Sequence, residues 1–145
     1  MNIKDFFTDT QQKSIQLAIE NAELNTSGEL RVHLDSKCKG EVLVRAKKVF
    51  EKLNMHKTEL RNGVLFYLAL ENKKFAVIGD KGINDVVEST FWDSIRDTMV
   101  NEFKREQFTI GLCQGIEMAG DKLKKHFPYQ KDDTNELPND ISFED

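Results

Sequence analysis

From Arg61 to Gly82 the chain reads RNGVLFYLALENKKFAVIGDKG: nearly unbroken apolar, β-prone residues from Val64 to Leu70, a polar Glu71-Asn72-Lys73, then apolar residues again from Phe75 to Ile78. Continuous rather than alternating apolarity is what strands covered on both faces require, so the pattern predicts a buried β-hairpin that Gly79-Asp80-Lys81-Gly82 stops abruptly. A hairpin brings its outer ends together, which sets Arg61-Asn62-Gly63 beside Asp80-Lys81-Gly82 at one sheet edge. Upstream, Thr8 and Gln11 form a capping-box pair, and Ile15, Ala18, Ile19 and Ala22 follow at helical spacing, predicting a helix over residues 9–25. Asn25-Thr26-Ser27-Gly28 ends it. Glu29 to Leu34 then alternates polar and apolar residues, as in a half-buried strand with Leu30, Val32 and Leu34 toward the core and His33 on the polar face.

After the polar stretch Ser36 to Gly40, the residues Val42, Ala46, Val49, Phe50 and Leu53 make one helical stripe, so strand, helix and strand 63–70 compose a βαβ unit with parallel strands. From Asn84 onward Val87, Phe91, Ile95, Met99 and Phe103 recur every fourth residue. Phe108, Leu112, Ile116, Ala119, Leu123 and Phe127 then continue the pattern, predicting two helices parted near 104–107. The expected architecture is a three-layer α/β/α sandwich: a small mixed sheet, built from the parallel βαβ unit and the antiparallel hairpin, under about four helices. Residues 1–128 would form the domain, and 129–145, without apolar periodicity, a mobile or loosely docked tail.

Composition sharpens this picture in a few places. The 145 residues, 39% hydrophobic with ten phenylalanines, suit one core, while 32% charged residues describe a well-solvated surface. Residues 131–145 hold six acids against one lysine, so the net charge of −4 leaves the body close to neutral. No basic stripe with interleaved aromatics appears, which argues against a nucleic-acid partner, and no apolar run approaches the ~20 residues of a membrane helix. Without an apolar leader the chain is expected in the cytoplasm. Cys38 and Cys113 are far apart and outside any CxxC, predicting reduced thiols, Cys38 in an exposed loop and Cys113 in the core.

Candidate chemistry gathers at the hairpin edge. With strands one and two parallel, Glu29, Asn62 and Asp80 share one end of the sheet, and carboxylates with loop carbonyls suit a hard divalent cation, Ca²⁺ or Mg²⁺. Glu29 and Asp80 are the predicted metal ligands. Glu59, Arg61, Asn62, Lys81 and Gly82 are further candidate contacts to metal or phosphate, with Arg61 and Lys81 supplying positive charge and a helix N-terminus following the glycines. Taken singly these signals are weak: GDKG is equally a glycine turn with a capping aspartate, and neither GxGxxG nor GxxxxGK[ST] is present. His56, in the loop before strand two, is the one histidine placed for acid–base work. No nucleophile pattern is found.

The motifs Gly28-Glu29-Leu30-Arg31-Val32, Arg61-Asn62-Gly63-Val64-Leu65, Phe75-Ala76-Val77-Ile78-Gly79-Asp80-Lys81-Gly82, and Phe103 with Phe108 and Gly111, resemble those of TPM-domain proteins. That family includes the thylakoid-lumen acid phosphatase linked to photosystem II repair and many bacterial proteins. The resemblance spans roughly 10–127. It implies an α/β/α sandwich with a divalent-ion site lined by acids and, in some members, phosphatase activity on simple phosphate esters or nucleotides. Two functions are therefore expected: a metal-binding phosphohydrolase acting on phosphate esters or nucleoside phosphates such as ATP and ADP, or a non-catalytic Ca²⁺-binding interaction module. In the latter the acidic tail would meet a protein partner.

Overall fold

In the computed structural model, which describes residues 3–130 and 135–144, the unbroken apolar run forms β2 (Gly63–Ala69), every residue of which is buried. Strand β1 (Glu29–Asp35) pairs with it in parallel, Glu29 opposite Gly63. The hairpin partner β3 (Lys74–Gly79) runs antiparallel, Val64 opposite Gly79. The expected hairpin and parallel pair therefore both form.

Period-two alternation sorts the sheet into two cores. Leu30, Val32, Leu34, Val64, Phe66, Leu68 and Val77 face α1 (Asp9–Glu23), α4 (Asp93–Lys104) and α5 (Phe108–Lys124). Leu65, Tyr67, Ala69 and Ala76 face α2 (Val42–Lys52), which contributes Ala46, Val49 and Phe50. Each of the valine, leucine and phenylalanine side chains taken out of water stabilises the fold by about 1.5–3 kcal/mol before chain entropy is counted. The predicted capping box also forms: the Thr8 hydroxyl accepts from Gln11 N at 3.1 Å, and the Gln11 side chain accepts from Thr8 N at 2.9 Å. The fold is an α/β sandwich.

Five expectations change. The helix predicted from Asn84 to Phe103 is broken into α3 (Lys81–Asn84) and α4, because residues 85–92 bend to bring Trp92 under the end of β3. A Cβ at Gly79 would lie 2.6 Å from the indole, so glycine is required there. The acidic tail is docked rather than mobile over its described residues: Leu137 and Ile141 are buried, and β4 (Ser142–Glu144) adds to β1 in parallel, giving the order β3-β2-β1-β4. Its reason is the second face of β1, where α2 lies across β3 and β2 and leaves Glu29, Arg31, His33 and Asp35 to be covered by the tail. His33 is consequently buried instead of solvated. Cys38 is buried too, packed with Tyr67 and Leu137, whereas Cys113 is only half-buried.

Candidate functional site

The parallel register carries Glu29, Asn62 and Asp80 to one end of the sheet, as expected, and backbone hydrogen bonds knit the three loops together. Glu29 N donates to Asn62 O at 3.2 Å, Asp80 N to Gly63 O at 2.9 Å and Gly82 N to Arg61 O at 2.9 Å. The Asn62 amide donates to Ser27 O at 3.3 Å, and its backbone N–H reaches the Thr58 hydroxyl at 3.3 Å. Arg61 takes a left-handed backbone, φ 51°, to make this corner. Gly82 lies so close that a Cβ would stand 2.2 Å from Leu60 O and 2.6 Å from Arg61 O. Only a glycine admits that approach.

Side chains at this edge choose partners the sequence does not announce. The buried Asp80 carboxylate accepts from Arg61 Nε at 2.7 Å and Nη2 at 2.9 Å, and from Lys81 N at 2.7 Å as the cap of α3. Asp80 in turn holds the Arg61 guanidinium above its ordinary pKa. Lys81 turns away to pair with Asp85 at 2.7 Å on the exposed surface. Glu29, 3% exposed, accepts from Glu136 N of the tail and hydrogen-bonds the Glu23 carboxyl at the end of α1. Burial, joined by the charge of Glu29 and opposed by the N–H of Leu30 at 3.0 Å, pushes Glu23 up to about 8. The Glu59 backbone, too, is tied to the tail, donating to the Glu136 carboxylate at 3.1 Å. Glu29 and Asp80 thus share a sheet end but have separate partners, Glu23 for one and Arg61 for the other.

This decides what a divalent cation would find here. Two carboxyls that share a proton near neutral pH offer hard oxygen donors, and a cation in place of that proton would relieve their repulsion, so Glu23 and Glu29 fit such an ion. Asp80 would meet one only by giving up Arg61.

Beside the Arg61–Asp80 pair opens a cleft of about 370 Å³ between α2, the end of β3 and residues 84–96. Lys47, His56, Arg61 and Arg96 bring positive or protonatable groups to it, against Glu51 and Asp80, with Trp92, Phe50 and Ile78 as apolar wall. His56 Nδ1 is buried and has no hydrogen-bond partner among the described residues. Glu29 and Glu23 do not line this cleft. The acidic pair and the cationic cleft are therefore neighbours across the Arg61–Asn62 corner.

A second polar cluster, at the far end of β1, has no counterpart in the sequence reading. Asp35 accepts from Arg45 at 2.7 and 3.1 Å, from His33 Nε2 at 2.8 Å and from the Tyr67 hydroxyl. Burial pushes the Asp35 carboxyl up, but the hydrogen bonds from Arg45, Tyr67 and His33 outweigh it and hold the group below its ordinary value. Burial lowers the pKa of His33, and burial with Asp35 raises that of Tyr67. Glu144 of β4 accepts from Arg45 and Lys52. His33, Asp35 and Glu144 present ligand atoms within 4.8 Å of one another, the one such triad among the described residues, yet Arg45 and Lys52 already supply its positive charge. The strongest sequence hint was the run Glu29, Arg31, His33, Asp35 on one face of a strand, too polar to lie bare against an apolar helix.

No helix among the described residues is long and apolar enough to cross a membrane. Comparison with known proteins places the chain in context. The structure of BA42 protein from the psychrophilic bacterium Bizionia argentinensis is 51% identical, covers 98% of both chains and superposes with a TM-score of 0.92. The N-terminal domain of cg2496 protein from Corynebacterium glutamicum has the same fold at 11% identity, TM-score 0.67, over 96% of this chain and 82% of that one. So does the N-terminal domain of a P. gingivalis protein at 16% identity, TM-score 0.68, over 86% of this chain and 82% of that one. No match was found among curated proteins. The family model of the TPM domain matches residues 2–122, and with that match across the sheet and helices just described, the chain belongs to the TPM-domain family.

Proposed function

We propose that the chain binds phosphate monoesters or nucleoside phosphates in the cleft beside Arg61 and hydrolyses them slowly when a divalent cation, Ca²⁺ or Mg²⁺, is present. The observation carrying this reading is the convergence of Lys47, His56, Arg61 and Arg96 on one cleft of about 370 Å³. Guanidinium groups match phosphate oxygens in shape and charge, and they stabilise charge that grows on those oxygens during transfer. Asp80 serves by aiming Arg61: it occupies Nε and Nη2, which leaves Nη1 for an anion. Trp92 and Phe50 give an aromatic or sugar portion an apolar wall. His56 is the group in the cleft suited to pass a proton to the leaving oxygen.

The metal reading rests on Glu29 with Glu23 rather than on Glu29 with Asp80. A divalent cation held there would neutralise the charge of the two carboxyls. Because Glu29 N is bonded to Asn62 O, order at the acidic pair is passed to the corner that carries Arg61. The name of the family model, TPM phosphatase, agrees with the reading.

Phosphate release from a panel of esters and nucleotides, with and without Mg²⁺, Mn²⁺ and Ca²⁺, tests it. Arg61→Ala, Arg96→Ala and His56→Ala should each lower turnover, and Asp80→Asn should act like Arg61→Ala by freeing the guanidinium. Equal release by wild type and all four variants would remove the cleft from consideration. A second reading would then stand, a non-catalytic Ca²⁺-binding module whose tail meets a partner protein; the separation of the Glu23–Glu29 pair from the cleft favours it.

A further inference from the structure

At the other end of the hairpin from the cationic cleft lies a cavity of about 600 Å³, between the β2–β3 turn and the α4–α5 turn. The two share no lining residue. Its wall is aromatic: Phe6, Phe75, Phe103 and Phe108 surround it, with Leu70 and Val100. The rings touch one another, Phe6 to Phe108 at 5.5 Å, Phe75 to Phe103 at 5.1 Å and Phe103 to Phe108 at 5.4 Å between centroids, yet all four remain only partly buried. In a closed core, rings this large fill the space they border. Here they stand around it. The volume is that of a small-molecule site, for which about 300–1,000 Å³ is usual.

The mouth is predominantly positive. Lys73, Lys74 and Lys104 stand at the rim against Glu106 alone, all exposed. Lys74 is already engaged, its ammonium donating to Gly40 O at 3.1 Å, which leaves Lys73 and Lys104 for a ligand. The two turns that frame the mouth each hold a non-glycine residue in the left-handed region, Lys73 at φ 52° and Glu106 at φ 59°. Such conformations cost free energy and often mark ligand clamps.

We propose that this cavity binds a medium-chain fatty acid, its hydrocarbon among the phenylalanines and its carboxylate at Lys73 and Lys104. An apolar wall under a cationic rim complements an amphipathic anion. A small hydrophilic anion would gain nothing from the rings, and a neutral lipid nothing from the lysines.

Sodium octanoate and 1-octanol, matched in chain and different in charge, are the probes. Each is titrated into the ¹⁵N-labelled full chain, with amide shifts as the readout. Octanoate should move residues 68–75 and 100–108 first, and octanol should bind there about tenfold more weakly, the share of two exposed ion pairs. Lys73→Glu with Lys104→Glu should weaken octanoate about tenfold and leave octanol unchanged; both lysines are exposed, so dispersion elsewhere in the spectrum reports the retained fold. The wild-type comparison stands without the variants. Equal affinity for the two probes, shifts scattered over the surface, or shifts centred on residues 78–96 would each overturn the proposal.

Discussion

Replacing Glu23 by glutamine should flatten the pH dependence of stability. The folded carboxyl of Glu23 titrates at about 8, the unfolded one near 4.5. Between those values the folded chain holds a proton that the unfolded chain has lost. Stability from this group is therefore complete below pH 4.5 and declines as pH rises to about 8. The slope for one proton is about 1.4 kcal/mol per pH unit, a ceiling of about 4 kcal/mol from pH 5 to 8. Water reaches the half-buried side chain and screens it, bringing the expected effect to about 2 kcal/mol. His33 works in the opposite sense: burial holds its folded pKa below the unfolded 6.5, so stability rises with pH across the window beneath 6.5. A single wild-type curve mixes both groups, whereas the difference between wild type and Glu23→Gln isolates one. Glutamine keeps an oxygen for the Leu30 N–H, which Glu23 accepts at 3.0 Å. The assay is urea unfolding followed by circular dichroism in half-unit steps from pH 5 to 9. The variant should gain about 2 kcal/mol on wild type as pH rises from 5, the difference levelling once the folded carboxyl has lost its proton. Parallel curves across that range would refute the shared proton.

Truncation after Tyr129 should cost about 3–5 kcal/mol and lower Tm by ten degrees or more, because it strips the buried Leu137 and Ile141 and bares the edge of β1; Leu137→Ala alone should cost about 2–3 kcal/mol, and an unchanged Tm in both would restore the mobile tail. Gly82→Ala, whose new Cβ would stand 2.2 Å from Leu60 O, should cost about 2 kcal/mol and shift the Arg61 Nε–H resonance as the pair with Asp80 opens; full stability with an unmoved resonance would show that the corner yields freely.

What was legible in the sequence was what local pattern dictates. The run Val64 to Leu70 had to be a doubly covered strand, Thr8 with Gln11 had to start a helix, and parallel pairing then put Glu29, Asn62 and Asp80 at one edge. Partner choice within that edge was not legible. Whether Asp80 meets a cation or Arg61, and whether Glu29 faces Asp80 or Glu23, depends on side-chain directions that spacing does not encode. Strand β4 was hidden for a different reason. Its three residues have little propensity of their own, and they are ordered by Arg45, Lys52 and His33, distant in sequence. The break between α3 and α4 escaped because Val87 and Phe91 keep the helical spacing of Ile95 and Met99 although the backbone between them bends.

The pairing of β4 with β1 also bears on how the chain folds. His33 and Ser142 are 109 residues apart in sequence, whereas Ala69 and Lys74 meet across a tight turn. Closing the longer loop costs about 3 kcal/mol more chain entropy. The hairpin and the parallel β1–β2 pair, Glu29 opposite Gly63, are thus expected to assemble first, leaving a species whose β1 edge is still bare. Bare edges recruit other chains unless charge deters them. Here Glu29, Arg31 and Asp35 on one face of β1 are the deterrent, and the residues that later bury themselves under the tail are the ones that keep the unfinished sheet apart from its copies.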